Sequence, residues 1–187
     1  GTGVGKSSFC RHVALELLKQ DFGVGYIALE ESIKRSALGI MGVHLKKPLH
    51  LTREGISEQQ LQETFKSTIG NGNFYLYNHF GNTVADSLLN KIRYLAKSCE
   101  VDFVVLDHLH MALSALGDEH TNDERKLIDY FVSKLRTLVE ETGIGLILVS
   151  HLRRSTEGDK GFEDGKQVTL SSLRGSQSIA QLSENKL

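Results

Sequence analysis

The sequence has few cysteines, one proline and almost no net charge, and each shortage excludes a class of protein. Cys10 and Cys99 are isolated, form no CxxC pair and give no disulfide framework, a usage that fits a reducing compartment. The net charge of −1 removes any global basic field that would by itself argue for nucleic acid. No apolar run approaches membrane-spanning length, and no signal peptide opens the chain. No internal repeat is present. The only proline, Pro48, lies with Lys46 and Lys47 in residues 44–55, which read as a loop. What remains is ordinary for a globular protein: 187 residues, 40% hydrophobic and 24% charged, enough for one domain over 1–187 with a substantial core.

Against this plain background one stretch stands out, Gly1-Thr2-Gly3-Val4-Gly5-Lys6-Ser7-Ser8. It reads as a phosphate-binding loop, G-x-x-x-x-G-K-[ST], whose opening residue would lie just before Gly1. Closely spaced glycines let backbone N–H groups turn inward around phosphates without Cβ clashes. Lys6 adds a point charge near the β- and γ-phosphates, and the Ser7 hydroxyl is placed to ligate Mg²⁺. A helix starting here would also aim its positive end at the anion. Such a loop needs a strand before it, so the chain reads as a fragment.

The pattern after Ser7 is helical, with Phe9, Val13 and Leu17 on one face, Ala14 and Leu18 beside them, and Gly23 closing the unit. Val24–Leu29 is a short apolar strand running into Glu30-Glu31, and residues 32–43 form a second helix. Ser57 and Gln60 have capping-box spacing for a helix to about Ile69, and Asn71-Gly72-Asn73 marks a turn before a Phe74–Tyr77 strand. Thr83 can cap a helix with Val84, Leu88, Ile92 and Leu95 inward. Val101–Leu106 is a buried-type strand ending at Asp107. A long helix carries Leu127, Ile128, Phe131, Leu135, Leu138 and Val139 inward, with Gly143 just past its end. Ile144–Val149 is another buried strand, and residues 171–182 are part loop and part short helix. Alternating helices and continuous apolar strands predict an α/β fold with a mostly parallel sheet covered by helices on both faces.

The polar residues fall at one edge of that sheet. Glu30, Asn78, Asp107 and His151 each sit at or just past the C-terminal end of a strand, the edge where open α/β sheets bind ligands. Asp107, ending an apolar strand downstream of a phosphate loop, is the expected partner of Mg²⁺, directly or through water. Glu30 can orient and deprotonate a water in line with the γ-phosphate. Glu31 is its rival, but alternation along the strand points it the other way, leaving it a solvated residue at a strand end. His151 is either a γ-phosphate contact or a histidine bonded at a strand end. His108-Leu109-His110 offers a His-x-His pair for zinc, without further ligands clustered nearby. Residues 153–166 hold Arg153, Arg154, Lys160 and Lys166 against four acidic residues. They form either a ligand loop or a solvated one. Arg174-Gly175-Ser176-Gln177 is a second candidate for phosphate-backbone contact.

With these elements placed, the chain resembles the helicase domain of hexameric replicative helicases of the DnaB type, in superfamily four, and most nearly that of the primase–helicases of short-tailed bacteriophages. The matching stretches are Gly1–Ser7, Leu29-Glu30-Glu31-Ser32, Val105-Leu106-Asp107-His108, Asp123-Glu124-Arg125-Lys126, Ser150-His151-Leu152 and Leu173-Arg174-Gly175-Ser176. The first and third occur in many NTPases; the second, fifth and sixth, in this order, are much more specific. The resemblance implies a RecA-like P-loop NTPase core, here without its first strand and its C-terminal strands, that assembles as a homo-hexameric ring around single-stranded DNA. It implies ATP or dTTP as substrate with Mg²⁺, and a primase domain in the same full-length chain and a replicative DNA polymerase as partners. The setting it implies is the cytoplasm, that of the host cell for a phage protein, without a membrane. Glu30, Lys6 and His151 would be the catalytic set, with His151 the sensor between nucleotide and DNA. Gly1 to Ser8 would bind nucleotide, and Ser7 and Asp107 the metal. Arg153, Arg154, Lys160, Lys166, Arg174 and Gly175 would bind DNA. The family's arginine finger lies in strands after Leu187, and the ending Ser183-Glu184-Asn185-Lys186-Leu187 departs from the Ser-Asp and apolar strand of relatives. A recombinase built on the same core, a P-loop ATPase or kinase that does not translocate, and a remnant that only binds nucleotide are the rival readings.

Overall fold

The computed structural model describes residues 5–77, 85–109, 124–150 and Ile179. Gly1, Thr2, Gly3, Val4, Asn78, Thr83, Val84, His110, His151, Arg153, Arg154, Lys160, Lys166, Arg174 and Gly175 lie outside the described residues, with the expectations attached to them. The elements in order are α1 (Lys6–Lys19), β1 (Val24–Ala28), α2 (Ile33–Leu45), α3 (Glu58–Ser67), β2 (Phe74–Tyr77), α4 (Ala85–Ser98), β3 (Phe103–Asp107), α5 (Glu124–Thr142) and β4 (Gly145–Leu148). The four strands form one parallel sheet in the order β2-β1-β3-β4.

Strand alternation sorts the core into two layers. Val24, Tyr26 and Ala28 of β1 and Val105 of β3 pack with Cys10, Ala14, Leu15 and Leu18 of α1 and Ile40 and Met41 of α2. Ile27, Val104 and Leu106 face the other way, against Leu88, Ile92 and Leu95 of α4 and Ile128, Phe131 and Leu135 of α5. Both faces of the central strands are therefore dry, which is why they read as unbroken apolar runs rather than alternating ones. Gly25 belongs to this packing: a Cβ there would stand 2.9 Å from Leu95 Cδ1, so the glycine lets α4 close onto the sheet. Among the described residues, no helix is long and apolar enough to cross a membrane.

Local signals are realised where the chemistry is local. Ser57 and Gln60 form the capping box of α3. Ser32 caps α2 by accepting from the Arg35 N–H. Gly143 follows α5 with φ of 74°, a left-handed conformation that favours glycine, and its N–H bonds the Val139 carbonyl at 2.8 Å.

The expected inner face of α1 is rotated. Phe9 is 50% exposed, and the buried residues are Cys10, Arg11, Ala14, Leu15 and Leu18. An arginine inside the buried stripe breaks the hydrophobic count, so the apolar residues alone indicate the wrong phase. Gly23 does not end the helix either; α1 stops at Lys19, and Asp21 adopts the left-handed turn. Gly23 instead lies against the start of β3, where its N–H donates to Asp102 Oδ2 at 2.7 Å and a Cβ would meet Val101 Cα at 3.1 Å.

The ladder continues past the strands at their C-terminal edge. Leu29 N–H bonds the Asp107 carbonyl at 2.8 Å, Val149 N–H the Leu106 carbonyl at 3.0 Å, and Leu109 N–H the Val149 carbonyl at 2.9 Å. These bonds hold the residues after β1, β3 and β4 at one level, beside the start of α1.

Candidate active site

The site is built where α1 begins. Gly5 caps the helix in the left-handed conformation, with φ of 76°, and its carbonyl accepts the first helical bond from Phe9 at 2.8 Å. Lys6 and Ser7 are the first two helical residues. The N–H groups of a first turn have no acceptor within their helix, and no acidic residue lies in this one to neutralise its positive end. That end is prepared for an anion.

Ser7 Oγ donates to Asp107 Oδ2 at 2.7 Å. Asp107 ends β3 and is 7% exposed, so its carboxylate is fixed by strand pairing and burial. A hydroxyl and a carboxylate at this distance are the hard oxygen donors that Mg²⁺ takes when phosphates and waters fill the rest of its shell. Below them the floor is apolar and holds its protons. Burial, reinforced by the Asp107 charge, pushes the Cys10 thiol up to about 12, while Arg11 pulls it down. Burial likewise raises Tyr26 well above its ordinary value, with Cys10 and Asp107 adding to it.

Glu30 and Glu31 part company in the bend after β1. Glu30 Oε1 lies 2.7 Å from His108 Nε2; the glutamate side chain is 55% exposed and the histidine 6%. Glu31 turns to α1, where the Arg11 side chain donates to both of its carboxylate oxygens at 2.8 Å. Arg35 approaches the same carboxylate at 3.4 Å. Glu31 is thus not a solvated residue: its side chain is 13% exposed and that of Arg11 6%. Arg11 lies flat over Gly39 of α2, where a Cβ would stand 2.4 Å from its Nε. Sequence reasoning missed this pair. Its signals were an arginine inside the helix's apolar pattern and a glycine in a helix interior, each of which needs a packing reason.

The His108 Nε2 atom is the one that meets Glu30, at 2.7 Å. Among the described residues, no group of three or more His, Cys, Asp or Glu side chains could hold a metal ion by itself, and His110 lies outside them. Of the residues read from the sequence, the fold brings together Lys6, Ser7, Asp107 and Glu30 at one edge. Arg153, Arg154, Lys160, Lys166, Arg174, Gly175 and His151 lie outside the described residues.

The family model described as the DnaB-like helicase C terminal domain matches residues 1–185. The DNA helicase/primase of Enterobacteria phage T3 is 35% identical over 189 residues, covering 98% of this chain and 33% of that protein. A probable plasmid replicative DNA helicase of Chlamydia trachomatis is 28% identical, covering 95% of this chain and 38% of its own length. The chain therefore spans about a third of the length of these relatives. Among solved structures, one described as an ATPase domain superposes with a TM-score of 0.72 at 21% identity, over 97% of this chain and 64% of that one. A DnaB-like replicative helicase, solved in a study of its interactions with primase, gives 0.70 at 18% identity, over 94% and 42%. The structural likenesses establish the fold.

Proposed function

The chain belongs to the DnaB-like helicase C-terminal domain family, a family of DNA helicases and NTPases, and we propose that it is the nucleotide-hydrolysing motor of a ring-forming replicative helicase. The observation that carries the reading is the 2.7 Å contact of Ser7 with Asp107, made at the anion-ready start of α1 and beside Glu30. ATP or dTTP would place its phosphates on the loop from Gly1 to Ser8, with Lys6 on the β- and γ-phosphates. Ser7 and Asp107 would hold Mg²⁺, which when bound neutralises charge on the phosphate oxygens. Glu30 would take a proton from the attacking water on a carboxylate oxygen and hold that water in line.

His151, past β4, would sense the γ-phosphate and move the segment that follows it. Arg153, Arg154, Lys160, Lys166, Arg174 and Gly175 would contact the backbone of single-stranded DNA. Six copies around one strand would need only a few charges each, which accommodates a net charge of −1. The partners would be further copies of the chain in a ring, a primase domain of the same full-length protein and a replicative polymerase, in the cytoplasm of the cell. Measuring DNA-stimulated hydrolysis by the full-length protein tests this: Lys6→Ala should lower turnover by roughly 100-fold or more, and unchanged turnover would remove the assignment.

A further inference from the structure

We propose that His108 is a positioning residue for hydrolysis, the fixed donor that holds the Glu30 carboxylate in its working orientation; this rests on Glu30 as the water-activating base. A carboxylate only accepts, so with Glu30 as a carboxylate the 2.7 Å contact is one in which the His108 tautomer bearing N–H at Nε2 donates to Glu30 Oε1. The two partners differ sharply in freedom. His108 is 6% exposed, follows a residue of β3 and is tied by its neighbours' backbone, whereas Glu30 is 55% exposed and lies beyond the end of β1. A long exposed glutamate spreads over several rotamers, and ordering it costs entropy. One bond from a donor that is already fixed selects a single rotamer and leaves the second oxygen to accept from water.

Two further ties set the backbone that carries Glu30. On one side the Leu29 N–H bonds the Asp107 carbonyl at 2.8 Å, so residue 30 follows beside residue 108. On the other, buried Arg11 grips Glu31 at 2.8 Å and stops that carboxylate from taking its neighbour's place. Because His108 adjoins Asp107, the orientation of the base and the position of the metal-side carboxylate are set by consecutive residues.

The test measures steady-state hydrolysis of Mg-nucleotide by the full-length protein with single-stranded DNA present, together with binding of a fluorescent nucleotide. His108→Ala should lower kcat about 10- to 100-fold, the size of effect expected when a reacting group is misplaced by about 1 Å. KM and the nucleotide Kd should stay within about 2-fold. His108→Gln keeps an N–H donor and should recover most of kcat. In a Glu30→Asp background the shortened carboxylate cannot reach the histidine, so His108→Ala should add no further loss. Full kcat in His108→Ala, or an equal added loss in the Glu30→Asp background, overturns the proposal. If His108→Ala does not fold, His108→Phe fills the same space without the donor: lost turnover with binding retained supports the idea, and normal turnover ends it. Glu30→Gln separates the two levels. Full turnover in Glu30→Gln would overturn the reading of Glu30 itself, whereas its loss beside a normal His108→Ala would overturn only the role of His108.

Discussion

Ser7 Oγ and Asp107 Oδ2 meet at 2.7 Å although they lie 100 positions apart in the chain. The contact joins the first turn of α1 to the end of β3, the two elements that carry Lys6, Ser7 and Asp107. Under the proposed function Ser7 and Asp107 would be the residues that hold Mg²⁺, directly or through water.

Asp107→Asn and Ser7→Ala should both raise the Mg²⁺ concentration needed for half-maximal hydrolysis, by about 10- to 100-fold. Asp107→Asn should have the larger effect because it removes a charge as well as a ligand. Titrating turnover with Mg²⁺ in the full-length protein reads this out, and an unmoved midpoint for Asp107→Asn would mean the carboxylate does not serve the metal.

The Arg11–Glu31 pair should matter to stability more than its two charges suggest. Arg11→Ala leaves Glu31, which is only 13% exposed, with only the half-exposed Arg35 at 3.4 Å, and should destabilise by about 3 kcal/mol in chemical denaturation. Replacing both partners, as Arg11→Met with Glu31→Gln, should be markedly milder, because no buried charge is left alone. Gly39→Ala places a Cβ 2.4 Å from the arginine's Nε and should be harmful in the native background. It should be tolerated better in the double variant, where methionine can bend aside. Equal cost in both backgrounds would show that Gly39 serves something other than the arginine.

Cys10 should be chemically silent in the folded protein. It is fully buried, and its thiol is pushed from the ordinary 9.0 to about 12. Alkylation of the native protein should therefore label Cys99, which is partly exposed, and reach Cys10 only on unfolding. The same shift makes stability depend on pH. Above pH 9.0 the unfolded thiol loses a proton that the folded one keeps until about 12. Stability from this group is therefore complete below pH 9.0 and is lost as pH rises through that window, by at most about 1.4 kcal/mol per pH unit. Tyr26, also raised, adds to the same slope. Denaturation midpoints of the protein and of Cys10→Ala should converge as pH rises from 9 toward 11; parallel curves would count against a buried, protonated thiol.

Much of this protein is legible in its sequence where the forces act within a few residues. The capping box of Ser57 and Gln60, the left-handed Gly143 after α5 and the helix that starts at Lys6 all follow from bonds between near neighbours in the chain. Strands β1 and β3 announce their burial on both faces by unbroken apolar runs. The collection of Lys6, Ser7, Glu30 and Asp107 at one edge follows from those elements alone, since every parallel strand delivers its last residue to the same side.

Only the tertiary structure decided which partners these groups take. The order β2-β1-β3-β4 places β3 beside β1 and so brings His108 to Glu30, 78 positions away. Nothing local distinguishes that outcome from a His-x-His metal pair. Packing of α1 on α2 buried Arg11 against Glu31 and turned the helix so that Phe9 faces out, because a paired charge can occupy an interior position that hydrophobicity alone denies it. Sequence determined the site's components and the edge where they gather, through local bonding and strand period. Long-range packing determined which oxygen each nitrogen holds, because that depends on neighbours dozens of residues away.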